Sequence, residues 1–300
     1  MSVKPKYGRV AVLMGGPSSE REVSLMSGEC VAGALEEGGV ARVDRVVVDR
    51  DGRFEWPDGV EAAFVAMHGR FGEDGTIQGI LRKMGVPHTG SSPEASARAF
   101  DKSKAKGVLA AAGVPTARYE LLRRGEKPSM PLPVVVKPVR QGSSVGVTRV
   151  FDAGEMESAL ETAFALDDTV LVEEFVAGRE ITVGIVGDAV FPVLQIVAPG
   201  DCFDYETKYK PGGATHLVPA PISPAETEAC QAAAMGAFRA LGCSGMGRVD
   251  IRLTDDGRPF VLELNNIPGL TSVSLLPDMA RTYGWEYPEL CVRILNLAEK

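Results

Sequence analysis

The chain has 300 residues and a mass of 31.8 kDa, enough for about two or three domains rather than one small module. Hydrophobic residues make up 45% and charged residues 24%, which excludes a disordered or fibrous protein. The net charge is −8 and no long run of Lys or Arg is present, so nucleic acid is not an expected partner.

The first ninety residues alternate between strand and helix patterns. Residues 10–14 are apolar and precede Gly15-Gly16, and the Ser-x-x-Glu pattern at 19–22 predicts a capping box that starts a helix over about 20–37. The buried face of this helix is expected to carry Val23, Met26, Cys30 and Ala34. Strands are predicted at 43–48 and 62–67 and a helix at about 76–84. This βαβ alternation predicts an α/β fold with a parallel sheet covered on both faces.

A second unit is predicted to begin near residue 91. Helical spacing covers about 94–112, and a buried-type strand at 134–138 leads into the glycine-rich loop 141–146. A helix at about 154–166 and strands at 170–176, 180–187 and 189–197 follow, with Gly187-Asp188 as a hairpin turn. Ser223, Pro224 and Glu226 predict the start of a helix that ends at Gly242.

Residues 246–265 alternate around Asp256-Gly257, a strong hairpin signal. A two-residue loop there places Asp250 opposite Glu263 and Arg248 opposite Asn265, with all four side chains on one face. Opposed carboxylates about 5 Å apart repel each other unless a cation lies between them. Oxygen ligands from Asp250, Glu263 and Asn265 suit Mg²⁺. The alternative is a solvated face on which Arg248 balances the acids, and a longer loop would shift the register.

Candidate phosphate-binding groups lie upstream of this hairpin. Lys137 ends the strand before the 141–146 loop, whose backbone N–H groups suit a phosphate, although a plain glycine turn is equally compatible. Lys102 is a second candidate cation, although a helix lysine is more often solvated. Residues 173–176 and Glu180 offer backbone groups to an adenine edge and a carboxylate to ribose hydroxyls. Residues 204–213, which include Lys208, resemble a closing lid, with an ordinary exposed loop as the alternative.

Two more segments suit substrate binding. Residues 268–275 follow the presumed metal strand, where their backbone N–H groups suit an oxyanion hole or a carboxylate clamp. His68 follows a predicted parallel strand at its C-terminal edge, where open α/β sheets bind ligands, although a single histidine is usually structural.

Taken in order, these motifs resemble those of the D-alanine–D-alanine ligases, a family of the ATP-grasp superfamily. The matching residues run from Gly15 to Ser274 and so cover nearly the whole chain. They are Gly15-Gly16 with Glu20-Arg21-Glu22-Val23-Ser24, His68-Gly69 with Gly72-Glu73-Asp74-Gly75, Lys137-Pro138, Gly142-Ser143-Ser144-Val145-Gly146, Gly247-Arg248 with Asp250, and Glu263 and Asn265 with Pro268-Gly269, Thr271-Ser272 and Ser274.

The resemblance implies a three-domain ATP-grasp architecture. Residues 1–90 would form an N-terminal Rossmann-like substrate-binding domain, 91–173 a central ATP-grasp subdomain, and 174–300 a C-terminal ATP-grasp and metal-binding domain. The implied reaction is ATP-dependent ligation of two D-alanine molecules through a D-alanyl phosphate, for bacterial peptidoglycan synthesis. Two alternatives remain: a D-alanine–D-lactate or D-alanine–D-serine ligase, and a non-catalytic nucleotide-binding protein. Tyr209 favours the dipeptide enzyme because the ester-forming relatives tend to lack it.

The resemblance also implies individual roles. Glu20 would hold the ammonium of the first D-alanine with Ser143 and Tyr209 around it, and Arg248 and the Gly269 N–H would stabilise the oxyanion. The implied nucleotide-binding residues are Lys102, Lys137, Ser144, Glu173, Glu174, Val176, Glu180 and Lys208. Asp250, Glu263 and Asn265 would bind a pair of Mg²⁺ ions, which Mn²⁺ could replace. Ser274 and Leu275 would receive the carboxylate of the second D-alanine, near His68.

The chain also departs from the family pattern. Gln141 stands where Glu is common, Glu174 where Lys is frequent, and Asn266-Ile267 where small hydroxyl residues are usual, while segment 119–133 is short. These departures put nucleotide affinity and loop details in question, but not the chemistry.

Cysteine usage and the N-terminus bear on the compartment. The five cysteines are scattered without a Cys-x-x-Cys pair, which predicts buried thiols in a reducing cytosol. Neither a signal-peptide pattern nor a run of about 20 apolar residues is present, so a cytoplasmic protein without a membrane partner is expected. The family resemblance implies a homodimer that uses D-alanine and ATP.

Overall fold

The computed structural model describes residues 3–197 and 215–300, which form three β-sheets with helices packed against them. The strands are β1 (Arg9–Gly15), β2 (Arg42–Val48), β3 (Ala62–Val65), β4 (Tyr119–Arg123), β5 (Val134–Pro138), β6 (Thr148–Val150), β7 (Thr169–Glu174), β8 (Arg179–Val186), β9 (Ala189–Val190), β10 (Leu194–Val197), β11 (Thr215–Leu217), β12 (Met246–Leu253) and β13 (Pro259–Asn265). The helices are α1 (Arg21–Glu37), α2 (Thr76–Lys83), α3 (Pro93–Phe100), α4 (Lys102–Ala111), α5 (Met156–Phe164), α6 (Pro224–Ala240), α7 (Leu275–Tyr283) and α8 (Tyr287–Asn296).

The N-terminal sheet has the order β2-β1-β3 and is parallel, as the βαβ alternation predicts. Its central strand is continuously apolar because both faces are covered, and residues from Val10 to Leu13 are fully buried. Helices α1 and α8 share its hydrophobic core, so the end of the chain returns to its beginning. The predicted α/β class with an N-terminal parallel sheet is confirmed.

Helix α1 differs from its prediction in two respects. The predicted capping box at Ser19 does not form, because the helix begins after Glu20, which makes no capping hydrogen bond with its side chain. The buried face includes Val23, Val31 and Leu35, whereas Met26 is 51% exposed, so its predicted burial is wrong. Positions 23, 31 and 35 share the stripe that packs on the sheet, while Met26 lies on a neighbouring stripe beside a large cavity.

The helix predicted over 94–112 is two helices. Asp101 has extended backbone angles, and its carboxylate accepts hydrogen bonds from the N–H groups of Ser103 and Lys104. It therefore caps α4 and ends α3, and Asp is a residue that favours this position. As a result Lys102 becomes the first residue of α4, and its N–H donates to the carbonyl of Val139 at 3.0 Å.

The central sheet is antiparallel, with the order β4-β7-β5-β6. The C-terminal sheet has the order β11-β10-β8-β12-β13, with β9 paired to β8. The predicted Gly187-Asp188 turn joins β8 to β9, but the predicted strand 189–197 is two strands, β9 and β10. Helix α6 begins at the predicted Ser223 cap with a complete capping box.

The β12–β13 hairpin confirms the predicted pairing and corrects the predicted loop. Asp250 pairs with Glu263 and Arg248 with Asn265. The turn is longer than predicted, because the N–H of Thr254 donates to the carbonyl of Arg258 at 3.0 Å. A β-bulge after Asp250 then shifts the ladder by one residue in the opposite direction. The two deviations offset each other. Asp250 therefore still pairs with Glu263, and Arg248 with Asn265, on the side of the bulge away from the turn.

Candidate active site

A cavity of about 760 Å³ opens among the N-terminal helix, the loop after β5 and the β12–β13 hairpin. Many of the residues selected from the sequence line it, and so do residues of the segment before α7. The lining residues among those selected are Glu20, His68, Lys102, Ser143, Arg248, Glu263, Asn265, Gly269, Ser274 and Leu275. A large cavity with convergent charged groups is the usual form of a ligand site.

Glu20 is enclosed by loops from two parts of the chain. The Ser143 hydroxyl donates a hydrogen bond to Glu20 Oε1. A Cβ atom on Gly142 would lie 2.9 Å from Glu20 Oε2, and a Cβ on Gly69 would lie 2.6 Å from the same oxygen. A side chain at either position would displace the Glu20 carboxylate from this place, and Gly69 also has a positive φ of 71°, which favours glycine. The two glycines leave a carboxylate at the cavity wall, which suits an ammonium ligand.

His68 is buried and held at both ring nitrogens. Nε2 lies 2.9 Å from Ser27 Oγ, and Nδ1 lies 3.1 Å from the Ile267 carbonyl and 3.7 Å from Glu73 Oε1. Burial lowers the pKa of His68, but the hydrogen bond and charge of Glu73 raise it above its ordinary value. Burial in turn raises the pKa of Glu73. Glu73 lines the cavity and was not selected from the sequence, although it belongs to the quoted Gly72-Glu73-Asp74-Gly75 motif.

Lys102 is a site residue rather than a solvated one. Its side chain is 13% exposed, and Nζ lies 2.9 Å from Glu263 Oε2 and donates to the Gln141 carbonyl at 2.8 Å. Burial lowers the pKa of Lys102, but attraction to Glu263 outweighs this effect and raises it. The start of α4 is thus joined to both the glycine-rich loop and the hairpin.

The loop after β5 has an unusual backbone at Ser143 and Ser144, whose φ angles are 49° and 58°. Non-glycine residues rarely adopt this left-handed region, and consecutive ones turn successive N–H groups toward one side. The Val145 N–H donates to the Gly142 carbonyl at 3.1 Å, so Ser143 and Ser144 are the central residues of a tight turn. This geometry is compatible with both the phosphate-binding loop and the plain turn.

Lys137 lies behind this loop in a buried cluster of charges. Its Nζ contacts Glu173 Oε2, while the Nζ of Lys106 contacts Glu173 Oε1. Glu173 and Lys106 are each 1% exposed. The opposing ammonium groups keep the pKa of Glu173 below its ordinary value although burial acts to raise it. Sequence reasoning missed Lys106, because a lysine on a helix is ordinarily solvated.

Glu174 and Glu180, the other acidic residues assigned to the nucleotide site, each pair with an arginine of the protein. Glu174 accepts from Arg118 Nε at 2.7 Å, and Glu180 Oε2 lies 3.0 Å from the Arg252 guanidinium. Val176 lies two residues after β7, in the segment that follows Glu174. The selected residues within the described ranges that do not line the cavity are Lys137, Ser144, Glu173, Glu174, Val176, Glu180 and Asp250.

Asp250 and Glu263 are each paired with a cation of the protein. Arg248 donates from Nε and Nη2 to the two oxygens of Asp250 at 2.9 and 2.8 Å, and the Thr182 hydroxyl donates to Oδ1 at 2.7 Å. Glu263 pairs with Lys102, as above. The alternative of a face balanced by Arg248 is therefore part of the observed arrangement.

Asp250 and Glu263 could hold a metal ion only if an amide oxygen serves as the third ligand. Across 3–197 and 215–300, no group of three or more His, Cys, Asp or Glu residues is placed to hold a metal ion. However, Asn265 Oδ1 is buried without a hydrogen-bond partner, and Asn265 follows Glu263 by two positions on β13. An unpartnered buried oxygen two residues along the strand from a carboxylate suits a hard cation such as magnesium.

The start of α7 forms another part of the cavity wall. Ser274 precedes the helix, and its Oγ accepts from the Thr271 N–H at 3.1 Å. The N–H groups of this first turn face no earlier helical carbonyl, which suits a carboxylate. One turn along α7, Asp278 Oδ2 lies 2.8 Å from Nδ1 of His216, a cavity-lining residue that was not selected from the sequence. Lys208 and Tyr209 lie outside the described residues, and their roles stay predictions.

Comparisons with known proteins agree over nearly the full chain. Residues 55–91 match the family described as D-ala D-ala ligase N-terminus, and residues 108–296 match D-ala D-ala ligase C-terminus. The D-alanine–D-alanine ligase of Aromatoleum aromaticum is 45% identical over 299 residues, covering 98% of this chain and 97% of the relative. That of Citrifermentans bemidjiense is 47% identical over 296 residues, with the same coverage of both chains.

Solved structures show the same architecture. The D-Ala:D-Ser ligase of Enterococcus faecalis superposes with a TM-score of 0.85 at 29% identity, covering 97% of this chain and 99% of that one. The D-alanine–D-alanine ligase of Bacillus anthracis, complexed with ATP, gives 0.82 at 30% identity, covering 96% of each chain. Within the described ranges, no helix is both long enough and apolar enough to cross a membrane.

Proposed function

Because the chain belongs to the D-alanine–D-alanine ligase family, we propose that it joins two D-alanine molecules into D-alanyl-D-alanine and converts ATP to ADP and phosphate. The observation that carries the proposal is the single cavity in which Glu20, Arg248 and the start of α7 face the Lys102–Glu263 pair. These groups provide an ammonium site, an oxyanion site, a carboxylate site and a phosphate-side cation in one place.

In the first step, a carboxylate oxygen of the first D-alanine attacks the γ-phosphorus of ATP. The bond from that phosphorus to the bridging oxygen breaks, and the products are D-alanyl phosphate and ADP. Glu20, positioned by Ser143, binds the substrate ammonium and holds the carboxylate toward the phosphates. Phosphorylation is needed because a free carboxylate is unreactive toward amines.

In the second step, the amine of the second D-alanine attacks the acyl carbon and gives a tetrahedral intermediate. Arg248 and the Gly269 N–H stabilise its oxyanion, phosphate leaves, and the nitrogen loses a proton. Ser274 and the Leu275 N–H bind the carboxylate of the second substrate at the start of α7, with His68 nearby.

The nucleotide is held between the central and C-terminal sheets. Lys102 and Lys137 meet the phosphates together with Ser144 of the loop, and Lys208 meets the γ-phosphate. Glu173, Glu174 and Val176 form the adenine segment and Glu180 faces the ribose. Asp250, Glu263 and Asn265 would hold Mg²⁺, or Mn²⁺ in its place, and ions bound there would supply positive charge to offset that of the phosphates.

The proposed domains are 1–90, 91–173 and 174–300. These boundaries lie close to the divisions between the three sheets, although β7 of the central sheet ends at Glu174, one residue beyond the second boundary. Helix α8 nevertheless packs on the N-terminal core, and α3 and α4 contribute Ala99 and Leu109 to the C-terminal core. The third unit therefore packs against both of the other units.

We further propose a cytoplasmic homodimer that serves peptidoglycan synthesis. The family resemblance, which implies a homodimer, supports this state. Analytical ultracentrifugation tests this state: the expected mass is twice that of the chain, and a monomer at all concentrations would contradict the dimer.

Product analysis with competing acceptors tests the reaction. The purified protein is incubated with Mg²⁺ and ATP, with D-alanine alone and then with added D-serine or D-lactate, and ADP and products are measured by mass spectrometry. We expect D-alanyl-D-alanine and ADP in equal amounts with D-alanine alone. A mixed product as the main species, or ADP formation independent of D-alanine, would contradict dipeptide ligation. The test is needed because the fold is shared with a D-Ala:D-Ser ligase.

A further inference from the structure

Lys106 is a buried cation that the proposed reaction does not use. It lies on α4, is 1% exposed, and contacts Glu173 through Nζ. The same Nζ lies 2.6 Å from Thr116 Oγ1 and 3.4 Å from the Ala117 carbonyl. Lys106 is thus buried among protein acceptors and does not line the cavity.

Glu173 has a lysine on each oxygen. Lys106 contacts Oε1 and Lys137 contacts Oε2, and Glu173 is as deeply buried as Lys106. Lys137 is 9% exposed and is the member of the cluster nearest the glycine-rich loop in sequence. Burial, together with the charge of Lys137, lowers the pKa of Lys106 although Glu173 acts to raise it. With both lysines protonated and Glu173 ionised, the three groups carry a net charge of +1. Without Lys106, Glu173 and Lys137 would form a neutral pair.

The neutral Glu173–Lys137 pair would attract a polyphosphate far less than the three-group cluster with its one excess positive charge, because charges interact strongly where water is excluded. We propose that Lys106 is a positioning residue for nucleotide phosphates: by sharing Glu173 it keeps the positive charge of Lys137 available to ATP. This inference rests on the proposed function only in taking Lys137 as a phosphate-binding residue.

The packing around Lys106 supports a fixed position. Thr116 Oγ1, which accepts from Lys106, donates to the Val261 carbonyl at 2.7 Å, and the Val261 N–H donates to the Pro115 carbonyl at 2.8 Å. Val261 lies on β13, the strand that also carries Glu263 and Asn265. Lys106 is thus anchored to the C-terminal sheet while it faces a carboxylate of the central sheet.

Calorimetric titration of the full chain with ATP and, separately, with adenosine tests the proposal. Adenosine has the base and ribose but no phosphate. For Lys106→Met we expect the Kd for ATP to rise about tenfold or more and the Kd for adenosine to change less than about twofold. A purely structural defect in the nucleotide site would weaken both ligands together.

A charge-restoring variant separates electrostatics from packing. Lys106→Met with Glu173→Gln leaves Lys137 as the one remaining charge of the cluster, so the net charge returns to +1. Because Glu173 belongs to the proposed adenine segment, the Kd for adenosine is measured alongside, and we expect the double variant to bind ATP more tightly relative to adenosine than Lys106→Met does. An affinity for ATP relative to adenosine no higher than that of Lys106→Met alone would contradict the proposal, as would equal losses of ATP and adenosine in the single variant.

Lys104→Met is the matched control, since Lys104 lies on the same helix with a 64% exposed side chain. Its Kd for ATP should match that of the original chain. Ligation by the original chain is measured in parallel. A chain that binds ATP and adenosine as expected but forms no dipeptide would contradict the ligase proposal and leave the role of Lys106 supported.

Discussion

The Ser143 hydroxyl donates a hydrogen bond to the carboxylate of Glu20, although the two residues are 123 positions apart. Ser143 belongs to the loop after β5, and Glu20 directly precedes α1. One contact therefore joins the proposed phosphate loop to the proposed ammonium site. The proposed ammonium site and the proposed phosphate loop therefore lie next to each other.

Glu20→Gln keeps the size of the side chain and removes its charge. We expect the KM for the first D-alanine to rise at least about tenfold, while the KM for ATP changes less than about twofold, because the lost partner is an ammonium ion. Steady-state kinetics of ADP formation measures both values. Glu22→Gln, on an exposed side chain two residues later, is the control and should leave both unchanged. Equal increases in the two KM values would argue against a substrate-specific role.

Glu263→Gln removes a negative charge from the Lys102 pair and from the proposed metal ligands while keeping the shape. We expect kcat to fall at least about a hundredfold, because both the cation balance and the metal site depend on this carboxylate. Phosphate release with D-alanine, ATP and increasing Mg²⁺ is the measurement. Asp255→Asn, at the exposed hairpin turn, should retain full activity. Unchanged phosphate release by the Glu263 variant would refute the assignment.

Two glycines of α1 form a matched test of packing. A Cβ on Gly28 would lie 2.5 Å from the Cβ of Met14, whereas a Cβ on Gly33 meets nothing within 4 Å. Gly28→Ala should destabilise the chain by about 1–3 kcal/mol through overpacking of a core that cannot move aside. Gly33→Ala should stabilise it by about 0.5–1 kcal/mol, since alanine loses less backbone entropy than glycine when it enters a helix. Thermal unfolding measures the change in Tm of both variants. A higher Tm for Gly28→Ala would show that α1 does not pack closely against Met14.

Buried cysteines should resist alkylation. Burial raises the pKa of Cys230 and Cys243 to about 11 and that of Cys291 to about 12. The reactive thiolate is the deprotonated form, so at about pH 8 its fraction is about a thousandth or less for these residues. Mass spectrometry after brief iodoacetamide treatment of the native chain should find them unmodified, and modified after denaturation. Labelling in the native chain at the rate of a free cysteine would contradict their burial.

The local patterns predicted much of the fold because they depend on near neighbours. The parallel N-terminal sheet, the Ser223 cap and the Gly187-Asp188 turn all follow from residues close in the sequence. The Asp250–Glu263 pairing was also predicted, but the two-residue loop used to derive it was wrong. A bulge at Asp250 compensates for the longer turn, and alternation alone does not reveal a bulge.

Contacts between distant segments were not predictable in the same way. The Ser143–Glu20 hydrogen bond and the contact of His68 with the Ile267 carbonyl depend on how separate sheets are placed. The burial of Lys106, on helix α4, depends on Glu173, which lies on a strand of the central sheet. The family resemblance selected Glu20, Ser143 and His68 as site residues, whereas Lys106 and His216 carried no pattern that separates them from surface residues.

Transfer of a heavy oxygen isotope tests the central claim most directly, because an acyl phosphate forms only if a carboxylate oxygen of D-alanine bonds to phosphorus. D-Alanine labelled in its carboxylate is incubated with the chain, Mg²⁺ and unlabelled ATP, and the released phosphate is examined by phosphorus NMR. We expect one labelled oxygen in each phosphate formed together with the dipeptide. Unlabelled phosphate accompanying dipeptide formation would contradict the proposed route.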